Sequence, residues 1–393
     1  MVARRPLSTL SLAHPRASTL ERAVVATAMV DAQAAAVSLQ AEIGGAGIFV
    51  LITCLRVEIA GECTIDALTA ATTALLGSLP GKMEARSDNE AIHHLLSVAA
   101  GLDSPIVGEP EVLGQFRRAV ENARTAGTMG GAFEQLLSAA INTGRLVRTQ
   151  LPESPHVSLA RVAADHVAGS KAVAIFGAGA MANAVASALE TAATHVTMYA
   201  RRPGAVRVSV DAVDHINNAV VALAQADAVI AATSAKRDLF DEAEVLAAVA
   251  DRKTPLIIVD LAMPPDFSLS VEVENIEYLG LDQVADLVRP IAVPESVDEF
   301  MRTAAHDAEY RYINHHAAGP VIVGLLAEAD RIAAEEADKA FLRSSADTPE
   351  AVLHDLARKV ARRLMHPTIS YLSGHEKGTQ AAALLAEAYE LDE

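Results

Sequence analysis

Val173-Ala174-Ile175-Phe176-Gly177-Ala178-Gly179-Ala180-Met181-Ala182 is an apolar run that ends in a Gly-x-Gly-x-x-Ala turn, and its reading decides the fold of this chain. A short apolar run bounded by glycines is a buried strand, and the small residues after it open a helix. Gly177 permits the tight turn, Gly179 lets the backbone approach a pyrophosphate, and Ala182 permits close helix–sheet packing. The phosphates then rest on the helix amino terminus, beside Ala178, Ala180 and Met181. From Lys171 to about Leu287 the pattern alternates: strand Ala172 to Phe176, helix Ala182 to Thr191, strand His195 to Ala200, and a buried strand in Asp227 to Ala235. It ends with strand Pro255 to Asp260 and the turn Leu261-Ala262-Met263-Pro264-Pro265. Such alternation implies a parallel sheet covered by helices, a Rossmann-type domain. Its second strand runs into Arg201-Arg202, where an acidic residue would read a ribose. Two arginines there point to a 2′-phosphate and hence to NADP; the alternative is a solvated basic face.

Working outward, 393 residues exceed what one core organises. Residues 1–150 read as a mixed α/β domain, 151–293 as the dinucleotide domain and 294–393 as all-helical, giving an α/β multidomain chain. Pro152 and Pro155 mark the first boundary. In the last third, Val321, Leu325, Ile332 and Ala340 recur at helical spacing. Ser344 to Pro349 breaks the pattern, and Val352, Leu356, Val360, Leu364 and Thr368 resume it at intervals of four. Amphipathic helices of this kind form a dimer interface or pack on their own chain.

The net charge is −18, which excludes broad nucleic-acid binding through a basic surface, although a local basic patch is compatible with it. Two cysteines, Cys54 and Cys63, are too few for a disulfide framework and fit a reducing compartment. No apolar run approaches the roughly 18 residues of a membrane span, and the amino terminus lacks a secretory pattern. A cytoplasmic protein is the expectation.

Gly47 to Ile59 reads as a strand, in which Cys54, Arg56 and Glu58 alternate onto one face and Leu55, Val57 and Ile59 onto the other. A neighbouring guanidinium lowers a thiol's pKa and can also hold a carboxylate in a bidentate grip. The alternative is a small buried hydrophobe, and Cys63 is read as such a structural thiol. Downstream, helical patterns over Glu90 to Ala100 and Val112 to Ala126 flank Gly101-Leu102-Asp103-Ser104-Pro105-Ile106-Val107-Gly108-Glu109-Pro110-Glu111. Pro110 suits the first turn of the second helix, and Glu109 and Glu111 suit its positive end, so capping alone would account for them.

Taken in order, these segments resemble the glutamyl-tRNA reductase family. Thr53-Cys54-Leu55-Arg56-Val57-Glu58 is similar to that family's Thr-Cys-Asn-Arg-x-Glu segment. Gly101-Leu102-Asp103-Ser104 to Gly108-Glu109-Pro110 and Leu113-Gly114-Gln115 match its most distinctive stretch. Gly144 to Thr149, the Gly177 fingerprint, Val259 to Asp266 and Arg362 to Pro367 add to the likeness, and His14 falls where the family places a histidine. The resemblance implies a catalytic domain, an NADPH domain, and a long spinal helix leading to a dimerisation domain in a homodimer.

It implies that Cys54 attacks the ester of glutamyl-tRNA(Glu) and that hydride from NADPH reduces the thioester to glutamate-1-semialdehyde, opening tetrapyrrole synthesis; glutamate-1-semialdehyde aminomutase becomes an implied partner. A thioester accepts hydride better than an oxygen ester does, and a thiolate leaves readily. By the same resemblance Thr53, Leu55, Arg56, Ser104, Glu109, Pro110, Glu111 and Gln115 contact the substrate, with Arg56 on its carboxylate. His94 positions the ester or assists proton transfer. Leu55, Ser97, Pro265, Gly280 and Ala182 depart from the family pattern. The other readings are a catalytically altered paralogue that binds tRNA or a partner, and an NADP-dependent dehydrogenase of a free small molecule.

Overall fold

A computed structural model of the chain describes residues 5–389 apart from 46, 152–157, 191, 193, 236–237, 270–272, 274, 290 and 344–349. The boundary prolines Pro152 and Pro155 and the break from Ser344 to Pro349 lie outside the described residues. The chain gathers into two compact units. One holds Leu7–Met129 with Ala140–Met301, and the other holds Gly130–Ala139 with Arg302–Glu393.

The larger unit begins with β1 (Ser8–Ala13), α1 (Thr19–Ala28), α2 (Ala32–Ile43), β2 (Ile48–Ile52), β3 (Arg56–Gly61), α3 (Ile65–Leu76), β4 (Glu84–Ser87), α4 (Asp88–Ala100), α5 (Pro110–Thr125) and the part from Ala140 of α6 (Gly131–Gln150). Its antiparallel sheet has the order β2-β3-β1-β4. The period of two sorts the side chains. Leu10, Leu12, Ile48, Val50, Val57 and Ile59 pack on the apolar faces of α1, α2 and α3. Phe49, Ser11 and Glu58 turn the other way, Phe49 stacking 5.0 Å from Phe116 of α5 and Glu58 meeting His94 of α4. At the open edge of the sheet, Thr128 accepts from the Ile48 N–H and donates its hydroxyl to the Ile48 carbonyl, so the end of α5 is stitched to β2.

The expected strand Gly47 to Ile59 is two strands. Thr53 N–H donates to the Arg56 carbonyl at 2.9 Å, and Thr53 Oγ1 accepts from the N–H groups of Leu55 and Arg56. A hydroxyl that satisfies two turn amides makes a tight reversal cheaper than continued extension. Cys54 and Leu55 therefore form the tip of a hairpin, while Arg56 and Glu58 begin the return strand on one face.

The dinucleotide part runs through α7 (Leu159–His166), β5 (Ala172–Phe176), α8 (Ala180–Leu189), β6 (His195–Ala200), β7 (Ala212–His215), α9 (Ala219–Gln225), β8 (Ala228–Ala231), α10 (Glu242–Val249), β9 (Leu256–Asp260), β10 (Ile276–Gly280) and α11 (Leu281–Asp286). All six strands are parallel, in the order β10-β9-β8-β5-β6-β7. The order reverses beside β5, which puts a ligand crevice at the carboxyl ends of β5 and β8. Sequence periodicity missed β7, β10 and α11 because each is short, at four, five and six residues. Asp260 accepts from the N–H groups of Ala262, Asp266 and Phe267, so this acid builds the turn after β9.

The second unit carries α12 (Glu295–Arg343), α13 (Glu350–Gly374) and α14 (Gly378–Ala388). At 49 residues α12 is roughly 70 Å long. Leu372 and Ala382 pack α14 onto α13, and Thr379 donates to Asn314 of α12 at 3.1 Å. Ile332, expected on the apolar face, is 44% exposed, and Val323 is 67% exposed. The side chains of Val321, Leu325, Ala340, Val352, Leu356, Val360 and Leu364 lie outside the described ones.

One contact orients the dinucleotide part toward the hairpin. Arg22 of α1, fully buried, donates to Asp282 of α11 at 2.7 Å and to the Cys54 carbonyl at 3.3 Å, with further bonds to the Ala17 carbonyl and Thr19 Oγ1. Asp282 also accepts from the Thr19 N–H at 2.6 Å, and His14 stands 3.4 Å from it and 3.1 Å from Asp286. Burial opposes the Asp282 charge, but His14, Arg22 and the Thr19 amide overcome it and hold the carboxyl well below the usual carboxylate range. A depressed folded pKa stabilises at neutral pH, and that contribution disappears as acid protonates the group. Asp282→Asn is expected to cost about 1–3 kcal/mol at neutral pH. The deficit relative to the wild type, followed by thermal melting, should narrow as the pH falls below about 4.

Candidate active site

Cys54 lines a cavity of about 160 Å³. Thr53, Leu55 and Arg56 of the hairpin form one wall, and Ser104, Glu109, Glu111 and Gln115 from the α4–α5 turn and α5 form a second. Met181, Ala232, Thr233 and Leu261 at the carboxyl edge of the parallel sheet close the third. Eight of the residues expected at the site are thus brought to one space. Of the other two, Pro110 opens the first turn of α5 as expected.

His94 is not among the lining residues, which corrects its expected place beside the ester. Its Nε2 lies 2.9 Å from Glu58 Oε2 and its Nδ1 3.6 Å from Asp103. Glu58 also accepts from Ser11 Oγ and from Arg56 Nη1, each at 2.9 Å, and the same Nη1 donates to Asp103 at 3.2 Å. Burial alone would keep Glu58 protonated. The imidazole of His94, the Arg56 charge and the Ser11 hydroxyl reverse that, so its carboxyl sits below the usual range. Glu58 thus bridges His94 and Arg56. The Nε and Nη2 groups of Arg56 have no partner among the described residues, and the side chain lines the cavity. A fork with one prong fixed and two donors free is set to receive a carboxylate.

The expectation that Arg56 lowers the Cys54 pKa does not hold, because its charge is spent on Glu58 and Asp103. The Cys54 thiol is pushed up to about 12, first by burial and then by the carboxylates of Glu109 and Glu111, with Arg22 opposing. Glu109 is itself raised to about 7 by burial and by Glu111. Arg22 and Asp282 were missed in the sequence because their pairing spans 260 residues. Leu55, which replaces an expected Asn, is 5% exposed and joins a core with Ile106, Leu159 and Leu261, so an apolar side chain suits this hairpin. Ser97 Oγ lies 3.4 Å from His93 Nδ1, away from the lining residues. Cys63 is buried and its thiol is raised to about 11 by burial, as a structural residue should be.

The fingerprint turn fits a dinucleotide. Gly177 has φ +119°, and a Cβ there would stand 2.5 Å from the Ala232 carbonyl oxygen. A Cβ on Gly179 would meet nothing within 4 Å, and no side chain caps the amino terminus of α8. Open space above unpaired N–H groups is what a pyrophosphate needs. Arg201 and Arg202 follow β6 and are exposed, and their side chains make no hydrogen bond or ion pair with any described residue.

No single described helix is long and apolar enough to cross a membrane, and no cluster of metal-ligating side chains occurs among the described residues.

Comparison with known proteins gives the same order of parts. The glutamyl-tRNA(Glu) reductase N-terminal domain matches residues 10–151, shikimate/quinate 5-dehydrogenase matches 158–289, and the glutamyl-tRNA(Glu) reductase dimerisation domain matches 295–391. The glutamyl-tRNA reductase of Kineococcus radiotolerans is 30% identical, over 98% of this chain and 94% of that protein. That of Pseudomonas aeruginosa is 31% identical over 78% of each chain, and that of Pseudomonas putida 28% identical over 88% of each. With those relatives aligned across nearly its whole length, the chain belongs to the glutamyl-tRNA reductase family.

Proposed function

We propose that this protein reduces glutamyl-tRNA(Glu) to glutamate-1-semialdehyde with NADPH, through a thioester on Cys54, as the first step of tetrapyrrole synthesis. The observation that carries this reading is the single cavity that Cys54, Arg56, Glu109 and Glu111 share with Met181, Thr233 and Leu261 at the edge of the dinucleotide sheet.

In this reading Arg56 holds the glutamate side-chain carboxylate with its free donors, and Glu111 receives the α-ammonium. Glu109 takes the Cys54 proton. That transfer removes one of the two negative charges opposing the thiolate, and the ammonium on Glu111 offsets the other. Sγ then bonds to the ester carbon as the bond to the ribose oxygen breaks, and Glu109 returns its proton to that oxygen. A carboxyl raised to about 7 suits both transfers. When bound, the reduced nicotinamide supplies the hydride that takes the thioester to the aldehyde level. Gly177, Gly179 and the start of α8 would hold its pyrophosphate, and Arg201 and Arg202 its 2′-phosphate. The bond from the carbonyl carbon to Sγ then breaks to release the aldehyde, and the Cys54 thiolate takes up a proton from solvent, the one the overall reduction consumes. Exposed apolar residues such as Val323, Ile332, Tyr371 and Leu384, on helices matched by the dimerisation domain, support a homodimer.

Purified protein given glutamyl-tRNA and NADPH should form the semialdehyde, and Cys54→Ser should form none. Binding of tRNA without product would replace this reading with a binding paralogue, and turnover indifferent to tRNA with a small-molecule dehydrogenase.

Glu109 must be ionised to accept the thiol proton, so kcat/KM should fall as the pH drops through about 7. Glu109→Gln should lower kcat/KM about a hundredfold and flatten that acid limb. An unaltered pH profile would remove Glu109 from proton transfer.

Replacing both Arg201 and Arg202 by Ala should lower the kcat/KM ratio of NADPH to NADH while leaving the NADH value in place. A constant ratio would mean that the 2′-phosphate lies elsewhere.

A further inference from the structure

We propose that Leu55 sets the fate of the acylated thiol, closing the seam between the hairpin and the dinucleotide part so that the thioester waits for hydride instead of meeting water. This inference rests on the function proposed above. A thioester carbon accepts either nucleophile, and hydride gives the aldehyde. In hydrolysis the water oxygen bonds to the same carbon and the bond to Sγ breaks. Glutamate leaves, one water proton goes to the Cys54 thiolate, and the other is lost to solvent as the new carboxyl ionises. Glu109 makes this side reaction easy. Having handed its proton to the ribose oxygen, it is again a carboxylate in the wall of the cavity, and it can deprotonate water as it deprotonated the thiol. A site with such a base has to keep water from the acyl carbon.

Leu55 belongs to the catalytic part by its backbone and to the dinucleotide part by its side chain. Its N–H donates to Thr53 Oγ1 at 3.3 Å, and its carbonyl accepts from the His14 N–H at 3.0 Å. Its side chain, 5% exposed, joins the apolar cluster of α7, α8 and the adjoining strands, in which Leu159, Ala163, Val185 and Leu261 are buried. Among the described residues, Ile106 is the only other buried member from the chain before α7. Cys54 packs against the same cluster, so the nucleophile itself borders hydrocarbon. Leu55 and Leu261 also line the catalytic cavity, which places one side of the seam in the wall around the acyl group. An Asn at position 55, as the family pattern has it, would carry an amide into this cluster. A buried amide without a partner draws in water or turns out toward solvent. Either response opens a wet path beside the carbon bonded to Sγ, whereas a seam filled with aliphatic side chains stays dry.

The test uses the full chain as wild type, Leu55→Asn, Leu55→Ala and Leu55→Met. With no cofactor present, p-nitrophenyl acetate is used to acetylate Cys54, and intact mass follows the lifetime of the acetyl group. Leu55→Asn and Leu55→Ala should each shorten that lifetime by about tenfold, and Leu55→Met should fall nearer to the wild type than to Leu55→Asn. With glutamyl-tRNA and saturating NADPH, the ratio of free glutamate to semialdehyde should rise in the same order, after correction for glutamate released with Cys54→Ser. Both products leave one acyl-enzyme, so the ratio does not depend on how much of a variant folds, whereas a merely structural role would lower both products together. Acetyl lifetimes that do not differ, or a product ratio that stays constant, would overturn the inference and leave the proposed reaction standing. A lifetime shortened in Leu55→Asn and Leu55→Ala, in a wild type that leaves glutamyl-tRNA unreduced, supports the closed seam and overturns the reaction instead. A Cys54 that takes no acetyl group overturns both.

Discussion

A buried guanidinium cannot shed its proton, so the charge of Arg22 has to be met by acceptors wherever the chain can bring them. Those acceptors come from the turn before α1, from the Cys54 carbonyl and from Asp282 on α11. The turn that carries the thiol and the helix that follows the last strand of the parallel sheet are thus held by one ion. The carboxyl edge of that sheet faces the hairpin because the alternative leaves a cation stranded in an apolar interior. His14 and the Thr19 amide add to the same carboxylate, which concentrates the attachment at one point.

A second buried charge cluster fixes the site from behind. Ser11, Glu58, Arg56, His94 and Asp103 form a connected set reaching from β1 to the α4–α5 turn. Each member satisfies another, so Arg56 has little rotational freedom left, and its two unengaged nitrogens point where the backbone of β3 aims them. The thiol, by contrast, has only Arg22 to favour its charge, and burial with Glu109 and Glu111 outweighs it. A resting Cys54 raised to about 12 is almost entirely protonated at neutral pH, which shields it from oxidants until a substrate changes the charge around it.

The dinucleotide part was legible in the sequence because its determinants are local: β5, β6 and the glycine turn each lie in one short window. The hairpin was not, since Thr53 to Ile59 also alternates as a strand, and the decisive bonds run from one hydroxyl to two amides. The expected shift of the Cys54 pKa failed for a different reason. Sequence spacing placed Arg56 near the thiol but could not show that Glu58 and Asp103 had already claimed its charge, or that Arg22 is the cation acting on the thiol. Eight of the nine expected catalytic and substrate-contacting residues whose side chains are described meet at one cavity. His94, the exception, stands one layer back because Glu58 is the nearer base.

The sheet that carries the nucleophile ends in β2, whose outer edge would offer unpaired amides and carbonyls to any passing strand. Thr128 and the Phe49–Phe116 contact seal that edge with α5. The helix that lines the active site is thus also the guard against strand addition. Lifting α5 away would therefore dismantle the site and bare that border in the same event.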